Sequence, residues 1–381
     1  MHEVIEKMRE NPKFHRFLQP VDTSIDFRDA TYFLRNDGTM VFSEGYYHGI
    51  EKPAGEREVL SHIVFVPWNE EKPGPDYSRK DIFGRLYENI TKEIMVNNPL
   101  DRFYPLQLER YIEVDPTQRD KRRPVYGQYK SLVPVAELIG SFPTRNSLRA
   151  IIEKADEEEA ADNIRIVTEH TAELLEIDPK QIGISGSLSL GTYSDPHDVD
   201  YVIYAPAAEV KRMVRFMQKL TDSDETRRVR EFGKYWPIRF WDWAGGEKFM
   251  ICPFFSYLDP EEAPLRNFDC EDLGAAEITG RIVDDTHNAF NPTYLMVDGV
   301  KLDGRDCPDI TRLILYHGGE RGDWREGYRF RARGDRVRVS TYRIEDGARK
   351  PREEFEALLV NNLDQVARID GNDNQVFTDG G

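Results

Sequence analysis

The sequence predicts an α/β (α+β) protein, a mixed sheet with helices flanked by two strand-rich regions, and three observations predict it. Ile182 to Tyr204 (IGISGSLSLGTYSDPHDVDYVIY) joins two β-rich runs through a polar loop, and a helical pattern follows. The region before it carries a hairpin signal, Asn36-Asp37-Gly38 between two β-rich runs in TYFLRNDGTMVFSEGYYHG. From Ala276 the chain becomes a succession of short β runs divided by turn residues.

Length and composition bound the rest. A chain of 381 residues exceeds one ordinary domain. The expected units are an α+β region over 1–145, a core over 146–275, and a small β-barrel with a closing helix over 276–370. The tail 371–381 reads as disordered. Hydrophobic residues at 39% and aromatics at 11% suffice for real cores. A net charge of −17 argues against nucleic-acid binding through general surface electrostatics, while leaving room for a local basic groove. Cys252, Cys270 and Cys307 show no metal-ligand spacing, and a reduced, cytoplasmic protein is the simplest reading. The segment MHEVIEKMRENPKFHRF lacks the apolar run of a signal peptide. No stretch approaches the roughly 18 apolar residues of a membrane helix, so no membrane partner is expected.

Taken in order, residues 1 to about 20 read as an amphipathic helix ending near Pro20, and Leu60 to Val66 as a third strand of the first sheet. Asp81 reads as the N-cap of a helix that buries Ile82, Phe83, Leu86, Ile90 and Ile94 at helical spacing. Residues 99–135 are Pro- and Arg-rich, and Asp120-Lys121-Arg122-Arg123 reads as a solvated loop or a phosphate contact. Two helical segments run from about Leu148 to Glu176, with the acidic run Asp156-Glu157-Glu158-Glu159 at the turn between them or on a solvated face. A helix over 206–220 places Val210, Met213, Val214, Met217 and Leu220 on one face. Tyr235–Trp243 and Lys248–Tyr257 then form a hairpin about Gly245-Gly246. In the last region the β runs suggest a closed barrel of about five strands. Arg329, Arg331 and Arg333 share one strand face there, a candidate nucleic-acid contact or an outer charged face. Residues 352–368 read as a final helix.

The chemistry concentrates in Ile182–Tyr204. Side chains alternate along a strand, so Asp198 and Asp200 point to one side. Paired carboxylates on one face repel each other unless a cation sits between them, which makes a natural Mg²⁺ site, with Mn²⁺ as the alternative ion. Gly186-Ser187 stands at a strand end where a helix can start, and its backbone N–H groups suit an anion such as a triphosphate. His197 adjoins Asp198, where it would touch a phosphate or cap the loop.

Ser185-Gly186-Ser187, ten residues, then Asp198-Val199-Asp200-Tyr201 resembles the nucleotidyltransferase superfamily that includes DNA polymerase β. The segments DGTMVFSEGYYHG, GRIVDDTHNAFNPTYLMVDG and LILYHGGERGDWREGYRFRARG extend the likeness to a mainly archaeal group of predicted nucleotidyltransferases. The resemblance implies a core of strand, helix, strand, helix, with a strand-rich region before it and a small β-barrel after it. It implies that Asp198 and Asp200 hold metal, that Gly186 and Ser187 hold the β/γ-phosphates of an NTP, and that an NMP moves to a hydroxyl of RNA, protein or a small molecule. His197 stands where many members carry a serine. The superfamily also implies a third carboxylate on a later strand. The expected place holds Met250, and Asp242 on the other arm of the same hairpin is the candidate substitute. If the turn is Gly245-Gly246, Asp242 pairs near Phe249 and faces away from Met250's side. A nucleotide- or nucleic-acid-binding module without catalysis is the alternative function.

Overall fold

Three sheets follow one another along the chain. The computed structural model describes residues 3–22, 27–46, 52–71, 73–193 and 198–369. The expected tail 371–381 lies outside them, as does His197.

Two short helices, α1 (Glu3–Arg9) and α2 (Phe14–Phe17), replace the single amino-terminal helix expected to Pro20. Pro12 lies between them and lacks a backbone N–H for a continued helix. Strands β1 (Tyr32–Arg35) and β2 (Met40–Ser43) make the hairpin about Asn36-Asp37-Gly38, where Gly38 adopts φ +90°. β3 (Glu58–Pro67) pairs with β2.

The helix expected from Asp81 is instead a hairpin of β4 (Arg79–Ile82) and β5 (Arg85–Asn89). Phe83 and Gly84 both take positive φ, 53° and 77°, the backbone of a tight two-residue turn. Asp81 Oδ1 does accept a backbone N–H three residues on, but from the turn residue Gly84 (2.8 Å). Leu86 consequently faces solvent at 40% exposure. Helix α3 (Ile90–Asn97) starts later, with the Asn89 side chain accepting from the Lys92 amide.

The Pro- and Arg-rich stretch 99–135 contains α4 (Phe103–Val114). Its basic cluster serves the backbone: Arg123 donates to the carbonyls of Gln118 (2.7 Å) and Lys130 (2.9 Å), and Lys121 to that of Leu132 (2.9 Å). β6 (Ser131–Pro134) and β7 (Leu138–Phe142) complete an antiparallel sheet of order β4-β5-β3-β2-β1-β7, with β6 also on β3.

The central part begins with α5 (Thr144–Ile152) and α6 (Glu159–Leu175), separated by a turn at the acidic run. It continues through β8 (Ile182–Ile184), β9 (Asp198–Ala205), α7 (Ala207–Ser223), β10 (Arg228–Glu231), β11 (Lys234–Ala244) and β12 (Glu247–Tyr257). The sheet order is β10-β11-β12-β9-β8, and β9–β12 is its parallel pair. That pairing follows because the chain leaves β9, crosses through α7 and two strands, and returns alongside it. Val210, Met213, Val214 and Met217 of α7 are buried on one face, as their spacing predicts.

In the third sheet, β13 (Phe268–His287), β14 (Thr293–Leu302), β16 (Ile310–Leu315), β18 (Ala348–Val360) and β17 (Arg329–Glu345) pair in a closed ring through β13–β17 contacts, with the short β15 (Arg305–Asp306) on β14. No α-helix forms over 352–368, where the helical part is one 3₁₀ turn at Leu363–Gln365. β18 and β19 (Val366–Arg368) occupy that stretch, because β17 offers an antiparallel partner along nearly the whole of β18 and pairing outweighs local helix propensity. Arg329, Arg331 and Arg333 lie on the exposed face of β17, where Arg331 pairs with Glu277 (2.6 Å) and Arg333 with Asp364 (2.7 Å). Acidic partners therefore offset the basic stripe.

One apolar core runs from α1 and α2 through the first sheet into the second, including Phe17, Phe65, Ile184, Ile203 and Phe255. A buried polar hub ties the first sheet to the third. Glu44 is 2% exposed and accepts from Tyr104 Oη (2.9 Å), Lys130 Nζ (2.9 Å) and Asn291 Nδ2 (2.7 Å), with His62 Nδ1 2.6 Å away. Burial alone would raise the Glu44 pKa, but Lys130 and His62 outweigh it and hold the carboxylate well below its ordinary range. Lys130, also 2% exposed, is brought down by burial to about 8. Removing one partner leaves the other charge buried and unpaired, so Glu44→Ala is expected to cost roughly 3–5 kcal/mol. Urea denaturation checks this. An unchanged midpoint and slope would show that the hub does not hold the units together.

Candidate functional site

β8 is three buried residues, Ile182-Gly183-Ile184, paired antiparallel to β9. Its end is anchored by Ser185, whose amide donates to the Asp200 carbonyl (2.7 Å) and whose hydroxyl donates to the Ala30 carbonyl (2.9 Å). The helix that could start at Gly186-Ser187 is one 3₁₀ turn, Gly186–Leu190, closed by Gly191 at φ +73°. Gly186 has φ +58°, and a Cβ there would stand 2.0 Å from Asp200 Oδ2. Only glycine lets the backbone lie so close against that carboxylate. Ser187 is half-buried on the turn and does not line the cleft described next.

Asp198 and Asp200 face a cleft of about 310 Å³ formed where the three sheets meet. Asp198 is exposed and Asp200 is half-buried beside Gly186. Burial, and then the Asp198 charge, push the Asp200 carboxyl up to about 7, against the pull of Arg239 and Arg321. β12 supplies the neighbouring wall in parallel register, with Met250 beside Asp198 and Cys252 beside Asp200. Both line the cleft. Position 250 therefore offers a thioether where the resemblance implies a carboxylate.

Asp242 does not substitute for it. The Gly245-Gly246 turn sets Asp242 opposite Phe249 and Trp241 opposite Met250, so Asp242 and Met250 point to opposite faces. The Asp242 carboxylate instead accepts from Arg227 Nη1 (2.6 Å), lies 3.0 Å from His170 Nε2, and accepts from the Trp243 amide (2.8 Å). Burial works to raise its pKa, and these three hydrogen bonds hold it below the ordinary range. It is a structural ion pair behind the sheet.

The cleft's cations come from residues that motif reading did not single out. The Arg239 guanidinium lies 4.0 Å from the Trp236 ring centroid and donates to Glu231 Oε2 (3.0 Å). The Arg321 guanidinium lies 4.1 Å from the Phe254 centroid and donates through Nε to the Gly318 carbonyl (3.0 Å). Burial lowers the Arg321 pKa, and Asp29 opposes that shift. Lys80 on β4 is also lowered by burial, with Asp198 and Asp200 acting to raise it. Asp29 accepts the Gly45 amide (2.7 Å), and burial raises its carboxyl to about 7. Arg239 sits in the alternating run YWPIRFWDW and Arg321 in the GGERG turn, and neither context marks a binding role.

The donor set has two parts. Two hard carboxylates on one face, one of them raised towards protonation by burial and by its neighbour's charge, suit one divalent cation completed by water or phosphate oxygens. Among the described residues no group of three or more His, Cys, Asp or Glu side chains is placed to hold a metal. Glu231, the other carboxylate in this part of the cleft, is occupied by Arg239. Comparison with family models, curated proteins and solved structures returned no match for this chain.

Because the folded pKa of Asp200 lies above its ordinary 3.8, ionising it favours unfolding. The penalty is absent at about pH 4 or below, grows as pH rises, and is complete above about pH 7. Asp200→Asn is therefore expected to melt a few degrees higher than wild type at about pH 8 without added metal, with the two curves converging near pH 4. Scanning calorimetry across that range checks it, and parallel curves would refute the assignment.

Proposed function

We propose that the chain is a Mg²⁺-dependent nucleotidyltransferase that transfers an NMP from an NTP to a hydroxyl acceptor and releases pyrophosphate. The observation that carries this reading is the face shared by Asp198 and Asp200, with the Gly186 backbone against Asp200 at the edge of a three-walled cleft. Asp198 and Asp200 would hold the ion, Mg²⁺ or Mn²⁺. When bound, that ion neutralises phosphate charge and so lowers the barrier to in-line displacement.

The chain's own groups have separable roles in this reading. The Gly186 end of the turn meets the β/γ-phosphates, with Ser187 set back from the cleft, and Arg239, Arg321 and Lys80 supply positive charge around it. The acceptor hydroxyl attacks the α-phosphorus, the bond to the bridging oxygen breaks, and pyrophosphate leaves. An aspartate carboxylate of the pair, or water at the open side of the cleft beside the exposed Asp198, would take the hydroxyl proton. Tyr32, Phe42, Phe103 and Phe254 supply aromatic surface to the cleft walls.

A second reading, a nucleotide-binding module without turnover, is favoured by Met250 and Cys252 on the wall beside the aspartates. In either case the ion-paired stripe on β17 does not favour binding of the acceptor as nucleic acid there.

Incubating the protein with α-labelled NTPs, Mg²⁺ or Mn²⁺, and separate pools of RNA, protein and small metabolites tests transfer. Asp198→Asn and Asp200→Asn are each expected to reduce labelling on the order of 10²–10³-fold, and Asp242→Asn to leave it nearly unchanged. Transfer that persists in both aspartate variants would sink the proposal. Metal-dependent NTP binding in calorimetry without labelling of any pool would leave the binding module.

A further inference from the structure

A second cavity, about 230 Å³, shares no lining residue with the aspartate cleft, although the segment 28–32 walls both. Asp29 and Tyr32 line the cleft, whereas Arg28 and Thr31 line the second cavity. The end of β7, the first turn of α5 and Tyr204 near the end of β9 complete its walls.

Two guanidiniums reach this space. Arg145 is exposed and stands 4.1 Å from the Tyr204 ring centroid, and Arg28 is half-buried and stands 5.9 Å from it. Thr144 fixes the ring, its Oγ1 lying 2.6 Å from Tyr204 Oη. Arg28 Nη1 donates to the Tyr257 carbonyl (2.7 Å), and neither arginine makes an ion pair among the described residues. Asp22 is the one acid among the described lining residues, so the walls carry a single surplus positive charge. Thr31 is 7% exposed, with its amide held by Ser43 Oγ (3.0 Å), yet its hydroxyl has no hydrogen-bond partner among the described residues. A hydroxyl on so buried a residue is ordinarily paired, and this one borders the cavity. Pro143, the N-cap of α5, supplies no side-chain acceptor to the first-turn amides beside it.

We infer that this cavity binds a small aromatic monocarboxylate, whose carboxylate accepts from Arg145, Arg28 and the Thr31 hydroxyl and whose ring lies against Phe27 and Pro143. A carboxylate only accepts, its two oxygens match the guanidinium fork, and its one charge equals the surplus on the walls. Phe27 packs edge-on against the buried Phe33, with ring centroids 5.2 Å apart, and so presents a fixed apolar wall. Guanidinium and aromatic faces both suit a flat ring, and the volume limits the ligand to a small one.

Isothermal titration of the full chain with sodium benzoate at neutral pH tests this. Saturable binding is expected, with benzamide about tenfold weaker for the loss of a charged hydrogen bond, and benzylammonium not measurable. Arg145→Gln changes an exposed side chain and should fold, and it is expected to bind benzoate about tenfold more weakly. Thr31→Val keeps the buried shape without the hydroxyl and is expected to bind about fivefold more weakly. Thermal melting confirms that both variants are folded. Asp200→Asn, in the other cavity, should leave benzoate binding unchanged. Absence of saturable binding, equal binding of benzamide, or full affinity in folded Arg145→Gln or Thr31→Val would each overturn the inference. Tighter binding of phenyl phosphate, largely dianionic at neutral pH, would overturn the choice of a monoanion.

Discussion

The Glu44 carboxylate, buried at the meeting point of the first and third sheets, is the constraint on which the rest of this structure depends. A carboxylate with almost no contact with water is tolerable only if its lone pairs are filled and its charge is countered. Glu44 achieves this with Lys130, Tyr104, His62 and Asn291, drawn from separate parts of the chain. The same hub fixes α4 against β3, brings Asn291 of the third sheet onto the first, and sets Tyr104 against the Gly318 amide (3.3 Å) at the start of the Arg321 loop. The aspartate cleft is the space this arrangement leaves open. Its far wall is therefore held by electrostatics and its near wall by the hydrophobic pairing of β9 with β12.

Within that cleft, charge is unevenly compensated. The hub satisfies its own carboxylate, so Glu44 stays ionised. Asp200 is raised first by burial and then by Asp198, and the arginines that oppose this are themselves engaged, Arg239 with Glu231 and Arg321 with the Gly318 carbonyl. The result is one wall whose carboxylate is fully countered and one wall whose buried carboxylate is not. A cation bound at Asp198 and Asp200 would therefore meet a preformed deficit without disturbing the scaffold that shapes the cleft, which is how binding energy can go to the ligand instead of to reorganisation.

What sequence reasoning reached, and what it missed, follows from distance along the chain and from competing periodicities. Asp198, Asp200 and Gly186 lie within one strand–turn–strand unit, so strand alternation and spacing sufficed to bring them together. The register of Asp242 against Phe249 was also legible, because a two-residue glycine turn leaves little freedom in pairing. Glu44 with Lys130 and with Asn291 spans 86 and 247 residues, and no local pattern announces such a partner. Arg239 and Arg321 are hidden for the same reason. The errors over 81–94 and 352–368 have another source. Both stretches carry apolar residues that fit a helical face, but a positive-φ turn at Phe83-Gly84 and a long partner strand in β17 decide for β structure. Tertiary pairing overrode propensity in both.

The side chains beside the aspartates limit the chemistry the cleft can support. A third carboxylate on β12 would add a negative charge to a pair that already drives one member towards protonation, and only a second cation could relieve it. Met250 and Cys252 avoid that cost, with Met250 apolar and the Cys252 thiol pushed up by burial and so kept neutral. If the cleft holds one divalent ion as proposed, these uncharged side chains leave the aspartate pair as its carboxylate ligands, with Arg239 and Arg321 as nearby cations. The absence of a carboxylate at Met250 and the presence of Arg239 and Arg321 are then two sides of one electrostatic balance. Changing Met250 to aspartate alone would break that balance before it added any catalytic group.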